Sequence, residues 1–146
     1  MAKILNHRTI GVELALKAAT AALEVSRERG YPRIGVAVAN RYGQIMVLLR
    51  SDEAGPHLLD SARRKAYTAA SMNARTSKAS KAIDERSGEP DPHLVYLNEV
   101  LIVGGGVPIH ANGELIGAIG CAGAPGSIHD EECADAGIAA IAASLK

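Results

Sequence analysis

The sequence has no tryptophan and no phenylalanine, and only four tyrosines among 146 residues. Nucleic-acid bases therefore have almost no stacking platform to lie on. Neither sign of charge is in excess: 16 basic and 16 acidic residues cancel. No net field draws nucleic acid or an anionic membrane surface. No apolar run approaches the roughly 20 residues of a membrane span. The opening "MAKILNHRT" lacks the apolar core and small-residue cleavage site of a secretory signal, so the expected location is cytoplasmic. Cysteine is scarce too. Cys121 and Cys133 lie far outside C-x-x-C spacing, and in a reducing compartment they read as two free, partly buried thiols.

Small residues are plentiful instead. The 47% hydrophobic content is largely alanine, and 15 glycines accompany it. A core of this kind relies on close backbone approach rather than on large side chains. The length fits one domain, residues 1–146. Limited burial per residue leads us to expect a homo-oligomer, in which subunit contacts add buried area.

Asn6 is placed to cap a helix over 7–29, with Ile10, Leu14, Ala18, Ala21 and Val25 on one stripe; Gly30 and Pro32 end it. "IGVAVA" (34–39) and "QIMVLLR" (44–50) read as strands joined by the turn "NRYG". A helix is expected over 58–73, and its flanks carry Arg64, Lys65, Tyr67, Thr68 and Ser71. The polar stretch 76–92 holds one short helix near 77–85 and is either a solvated connection or a cover over a site. "HLVYLNEV" fits a helical turn or a strand. "EVLIVGG" and "VPIH" read as strands or strand ends, and "LIGAIGCAG", after the turn "ANGE", as the last strand. In the last strand Leu115, Gly117, Ile119 and Cys121 point one way and Ile116, Ala118, Gly120 and Ala122 the other. A final helix follows, capped by Ser127 or Asp130, with Ala134, Ile138, Ile141 and Leu145 inward. Short turns force antiparallel pairing, so the fold class is α+β with one antiparallel sheet flanked by helices.

Several chemistries are absent. "GGGVP" lacks the Gly-Lys-Ser/Thr of a phosphate loop, and no G-x-S-x-G elbow occurs. The histidines at 7, 57, 93, 110 and 129 never take H-x-x-x-H spacing, so no zinc motif is present and no metal ligand is assigned. His57 and His93 enter from loops and could face a cleft. His110 ends a strand beside a hairpin, while His7 reads as solvated and His129 precedes an acidic helical turn. Lys65 stands on an alanine-rich helix, where its stem can pack while its amine meets a carboxylate or an anionic ligand. Gly104, Gly105, Gly106 and Pro108 form either a kink at a sheet edge or a concavity of bare N–H groups for a carboxylate. Asp130 and Glu131 suit helix capping or a carboxylate base. Gly117 and Gly120 are expected to be small for packing, and Gly104–Gly106 to line a site.

"KAYTAA" (65–70), "GGGVPI" (104–109), "GELIGAIGCAGA" (113–124) and "DEECADAGIAAI" (130–141) resemble, in that order, the GlcG/HbpS-like family, also called the haem-degrading domain family, which includes the PduO C-terminal domain. The resemblance spans nearly the whole chain. It implies a five-stranded antiparallel sheet flanked by helices, assembled into dimers and larger oligomers. It also implies haem as a cofactor, with roles in haem handling or redox sensing, while other relatives belong to catabolic operons. Lys65, Thr68, the 104–108 segment, Asp130 and Glu131 occupy matching positions. Asn40 stands where relatives often carry an aspartate in the first hairpin. Two functions follow as expectations. The first is a haem-binding protein in which Arg64 and Lys65 meet the propionates and His57 or His110 approaches the iron. The second is an enzyme or accessory binder for a small organic acid, with Lys65, Asp130 and Glu131 as the acid–base set beside Thr68 and the glycine run.

Overall fold

A computed structural model describes all residues from Met1 to Lys146. Helix α1 (Val12–Glu28) precedes strands β1 (Gly35–Asn40) and β2 (Ile45–Arg50). Helices α2 (His57–Met72) and α3 (Thr76–Asp84) and a 3₁₀ turn (Pro92–Tyr96) follow. Strands β3 (Gly106–Ala111) and β4 (Glu114–Ala122), then helix α4 (Ser127–Ala140) and a last 3₁₀ turn (Ala142–Ser144), complete the chain. No helix is long and apolar enough to cross a membrane.

The sheet is antiparallel with strand order β2-β1-β4-β3, so it has four strands rather than the expected five. The missing strand is "EVLIVGG". Its backbone is claimed by side chains of α2 before a neighbouring strand can pair with it. Arg64 Nη2 donates to the Val100 carbonyl at 3.0 Å, and the Leu101 N–H donates to Thr68 Oγ1 at 2.9 Å. The ladder resumes where the Cys121 N–H donates to the Gly105 carbonyl.

The first helix starts later than its sequence pattern predicts. Tertiary bonds take the residues before it: the Ile10 N–H and Thr9 Oγ1 both donate to the Ile116 carbonyl. Gly11, not Asn6, is then the N-cap, and the buried stripe becomes Ala15, Ala18, Ala19, Ala22 and Ser26. Both hairpin turns follow their sequences. Asn40 Oδ1 accepts from the Tyr42 and Gln44 N–H groups, and Gly43 adopts φ 79. Asn112 and Gly113 both have positive φ, as a tight hairpin of this hand requires. A bulge at Ile116 interrupts the register, because Ile109 pairs with Gly117 but His110 pairs with Leu115. The predicted alternation of β4 therefore holds from Gly117 to Ala122 and slips before it, and Ile116 joins the same core cluster as Ile119 and Cys121.

The two faces of the sheet differ. Helices α1 and α4 cover one face, where Val36, Val38, Ile109, Ile119 and Ile141 form the main core with the alanines of α1. Helix α2 covers the other, and there the buried hydrophobics are alanines alone: Ala37, Ala39, Ala62, Ala66 and Ala122, then Ala69, Ala70 and Ala118. Glycine brings that helix closer still. A Cβ on Gly35 of β1 would lie 2.5 Å from the Leu58 carbonyl oxygen. Cβ atoms on Gly120 of β4 and Gly106 of β3 would strike the carbonyl oxygens of Ala62 and Lys65. Leu58, Ala62 and Lys65 share one stripe of α2, so three adjacent strands each omit a side chain beneath it. Gly106 thus serves helix packing. Its N–H donates to buried Thr76 Oγ1 at 2.9 Å. Thr76→Val keeps the shape and leaves that N–H unpaired, so denaturant unfolding should show a loss of about 1–3 kcal/mol.

Candidate functional site

Helix α2 carries most of the candidate residues, and the fold distributes them to different places. Lys65 and Asp130 meet: Nζ lies 3.1 Å from Asp130 Oδ2, with both side chains almost fully buried. Nζ also donates to the Cys121 carbonyl at 3.1 Å, and Asp130 Oδ1 accepts from the Ala124 N–H at 2.9 Å. The pair joins α2 on one face of the sheet to α4 on the other. Gly105 (φ 128) lies against it, since a Cβ there would sit 2.5 Å from the Cys121 oxygen and 2.9 Å from Lys65 Nζ. Burial pushes the Asp130 carboxyl above its ordinary range, against the opposing pull of Lys65 and the Ala124 N–H. Asp130 does not cap α4; Gly126 holds that position, and the carboxylate serves the preceding loop and Lys65.

Glu131 turns outward to Arg75, whose guanidinium also grips Asp135. Those hydrogen bonds to Asp135 and Glu131 raise the Arg75 pKa further above its ordinary value. Arg64 and Thr68 hold the 100–101 segment, and Arg64 Nε is buried without a partner. His57 begins α2, with its ring against Gly55. Gly104 packs on Ser127 and Ser77. Pro108 sits on edge strand β3 opposite Ala118. Both cysteines are free and buried, and burial raises both thiols, so neither is an activated nucleophile.

None of the three surface cavities is lined by residues 104–106. The largest, about 640 Å³, opens at the C-terminal end of α2 between the two hairpin turns. It lies within the 300–1,000 Å³ or so typical of small-molecule sites. Ala70, Ser71 and Asn73 come from α2 and its cap, Arg41 and Tyr42 from the first turn, Glu114 and Leu115 from β4, and His7 from the N-terminal segment. Arg41 Nη1 donates to the Leu115 carbonyl at 3.0 Å. Glu114 binds Arg8, whose side-chain and backbone bonds hold its carboxyl below the usual range. His110 reaches the cleft only through Asn73. Its ring bonds Asn73 Oδ1 at 2.7 Å, and its partner in the sheet register is Leu115.

None of the eight lining residues was a site candidate from the sequence, where His7 reads as solvated and Ser71 stands only on a helix flank. Asn73 had a usable signal, because an asparagine just past a helical stripe is a common left-handed cap. Arg41, Glu114 and Leu115 belong to turns whose mutual approach depends on strand order.

The fold is an α+β layered domain whose largest cavity lies beside its inner helix. The sequence model of the haem-degrading HbpS-like proteins matches residues 10–139, and the chain belongs to that family. A double mutant of Streptomyces reticuli HbpS, solved as a crystal structure, is 40% identical, covers 93% of this chain and 89% of its own, and superposes with a TM-score of 0.84. A crystal structure of a PduOC:haem complex is 25% identical, covers 91% of this chain and 95% of its own, and gives a TM-score of 0.81. An uncharacterised 15.0 kDa protein from the dhaT–dhaS intergenic region of Citrobacter freundii is 30% identical over 115 residues, 79% of this chain and 80% of that protein.

The cleft fits haem in its donor chemistry. Among the lining side chains, the imidazole of His7 and the phenol of Tyr42 are of a type that holds haem iron. Arg41 is a cation suited to a propionate. Apolar wall is limited to Tyr42, Ala70 and Leu115.

Proposed function

We propose that this protein binds haem in the cleft at the end of α2, for haem handling or redox sensing. The observation that carries the reading is the convergence there of His7 from the N-terminal segment with Arg41 and Tyr42 of the first hairpin turn, in a fold shared with a solved haem complex. Bound haem supplies a redox-active iron whose behaviour is set by its axial ligand and surroundings. The chain's own contribution is to hold and orient it. Ala70 and Leu115 give apolar contact, Arg41 faces a propionate, and His7 or Tyr42 supplies the iron donor. Lys65 is buried against Asp130 and the Cys121 carbonyl, so the cation at the cleft is Arg41, which also bonds the Leu115 carbonyl and lies 3.6 Å from the Glu114 carboxylate. A porphyrin has two broad apolar faces, and this cleft walls one of them; a second copy of the chain covers the other in a homo-oligomer.

Hemin titration of the apo protein tests this. The expected result is a saturable, stoichiometric Soret shift that weakens when Arg41 is replaced by alanine. A response no different from that of an unrelated protein refutes it. The second reading, a small organic acid, draws on the polar half of the same cleft: Arg41, Ser71, Asn73 and His7 offer hydrogen bonds to a carboxylate. It is the reading that stands if hemin does not bind.

A further inference from the structure

The N-terminal segment changes character at one residue, and the cleft lies at that change. Arg8 is clamped. Its N–H and Nε donate to the two oxygens of Glu114 at 3.0 and 2.9 Å, and Nη1 and Nη2 donate to the Lys146 and Ala111 carbonyls at 3.2 and 2.8 Å. Thr9 and Ile10 then bond the Ile116 carbonyl, and Ile10 is buried in the main core. Before Arg8 these holds stop. Met1 to Asn6 has no regular secondary structure and makes no hydrogen bond to the rest of the chain. Within that arm Ile4 is 98% exposed and Leu5 63%. Adjacent large apolar side chains left in water carry more meaning than scattered single ones. His7, the residue between arm and clamp, lines the cleft. The arm therefore leaves the body of the protein from the cleft wall itself. Leu5 and Ile4 lie two and three residues back from His7, a reach of about 7–11 Å in extended chain.

We propose that Met1–Asn6 is a lid for the cleft: when haem is seated, the arm folds about His7 and lays Ile4 and Leu5 along the apolar edge of the ligand. This inference rests on the haem reading of the cleft. The arm supplies what the cleft has least of, since only Tyr42, Ala70 and Leu115 among its lining residues are apolar. An empty cleft with so polar a lining offers Ile4 and Leu5 little burial, so closing it does not repay the lost freedom of the chain. An apolar ligand reverses that balance, because both side chains then leave water. The ligand thus interacts differently with the open and closed arm, which is what a ligand-driven change requires. The tether makes closure intramolecular and independent of protein concentration. The pivot is fixed by the clamp, because Glu114, which holds Arg8, is itself part of the cleft wall.

Limited trypsin digestion of the full chain tests the lid. Lys3 precedes Ile4, so cleavage after Lys3 requires the arm to be free. In apo protein that cut should be fast. Saturation with hemin, followed at the Soret band, should slow it by about 10-fold, in proportion to the loss of open arm. Cleavage after Arg86, exposed in the connection that follows α3, is the internal reference and should keep its rate. The double variant Ile4→Ser, Leu5→Ser changes only exposed side chains and should fold as the wild type does. It should lose the protection at Lys3 and release hemin about 10-fold faster. An unchanged Lys3 rate at hemin saturation overturns the lid and leaves the haem reading intact. Protection in apo protein that grows with protein concentration also overturns it, since the arm is then seated on a second copy. A wild type that gives no Soret shift ends the haem reading, and the lid falls with it.

Discussion

Replacing Gly120 with alanine should destabilise the protein by about 3 kcal/mol, at the upper end of the range for overpacking a core. The added methyl meets the Ala62 carbonyl oxygen and, at 2.7 Å, the Ala66 nitrogen, both in the backbone of α2. A side chain could turn aside; a helix backbone must shift as a body. In a chain of this size the loss corresponds to a melting-temperature drop on the order of 10 °C. Gly113→Ala is the natural control. It has positive φ (81) and open space around it, so it carries conformational strain without collision and should lose only about 1–2 kcal/mol. Calorimetry of the two variants separates the two reasons a glycine can be needed. Equal midpoints for Gly120→Ala and wild type would mean that α2 lies farther from the sheet than described. Gly105→Ala combines both penalties, a φ of 128 and the Cys121 oxygen at 2.5 Å. Its effect should therefore register in stability.

These glycines show what the sequence made legible. That bulk was withheld along β4 for the sake of packing could be read from the run itself, and Gly120 fulfils it. The same reading assigned Gly104–Gly106 to a ligand, whereas Gly106 lies under α2 and Gly105 against the Lys65–Asp130 pair. A glycine reports that something comes close without naming it, and only topology tells a helix carbonyl from a ligand. The hairpins at Asn40–Gly43 and Asn112–Gly113 were legible because turn chemistry is local. "EVLIVGG" was not, because Val100 and Leu101 bond to side chains of Arg64 and Thr68 more than thirty residues away. Periodicity cannot register a backbone claimed by a distant side chain. The cleft was the least legible feature, since Arg41, Asn73 and Glu114 are brought together only by placing β1 beside β4 and laying α2 across both.

Lys65→Met should cost about 3–5 kcal/mol near neutral pH, because it leaves the Asp130 carboxylate buried without its counter-charge. The pH dependence identifies the cause. Burial already holds the Asp130 carboxyl above its ordinary range despite Lys65. Removing the ammonium takes away the main opposing influence, so the carboxyl should rise further. Between its unfolded value, about 3.9, and the raised folded value, the folded state binds the proton that the unfolded state has lost. Stability from this group is therefore complete below the lower value and declines as pH rises through the interval. Urea denaturation should show the Lys65→Met deficit shrinking as pH is lowered toward 4 and reaching its full size once pH exceeds the folded value. The partner substitution completes the case. Lys65→Met combined with Asp130→Leu removes both charges, and its loss should fall well short of the sum of the single losses. The Ala124 N–H, which also loses its acceptor, should account for about 1–3 kcal/mol of what remains. A Lys65→Met deficit that ignores pH would mean that the lysine stem, rather than its charge, is what α4 and the Gly105 bend depend on.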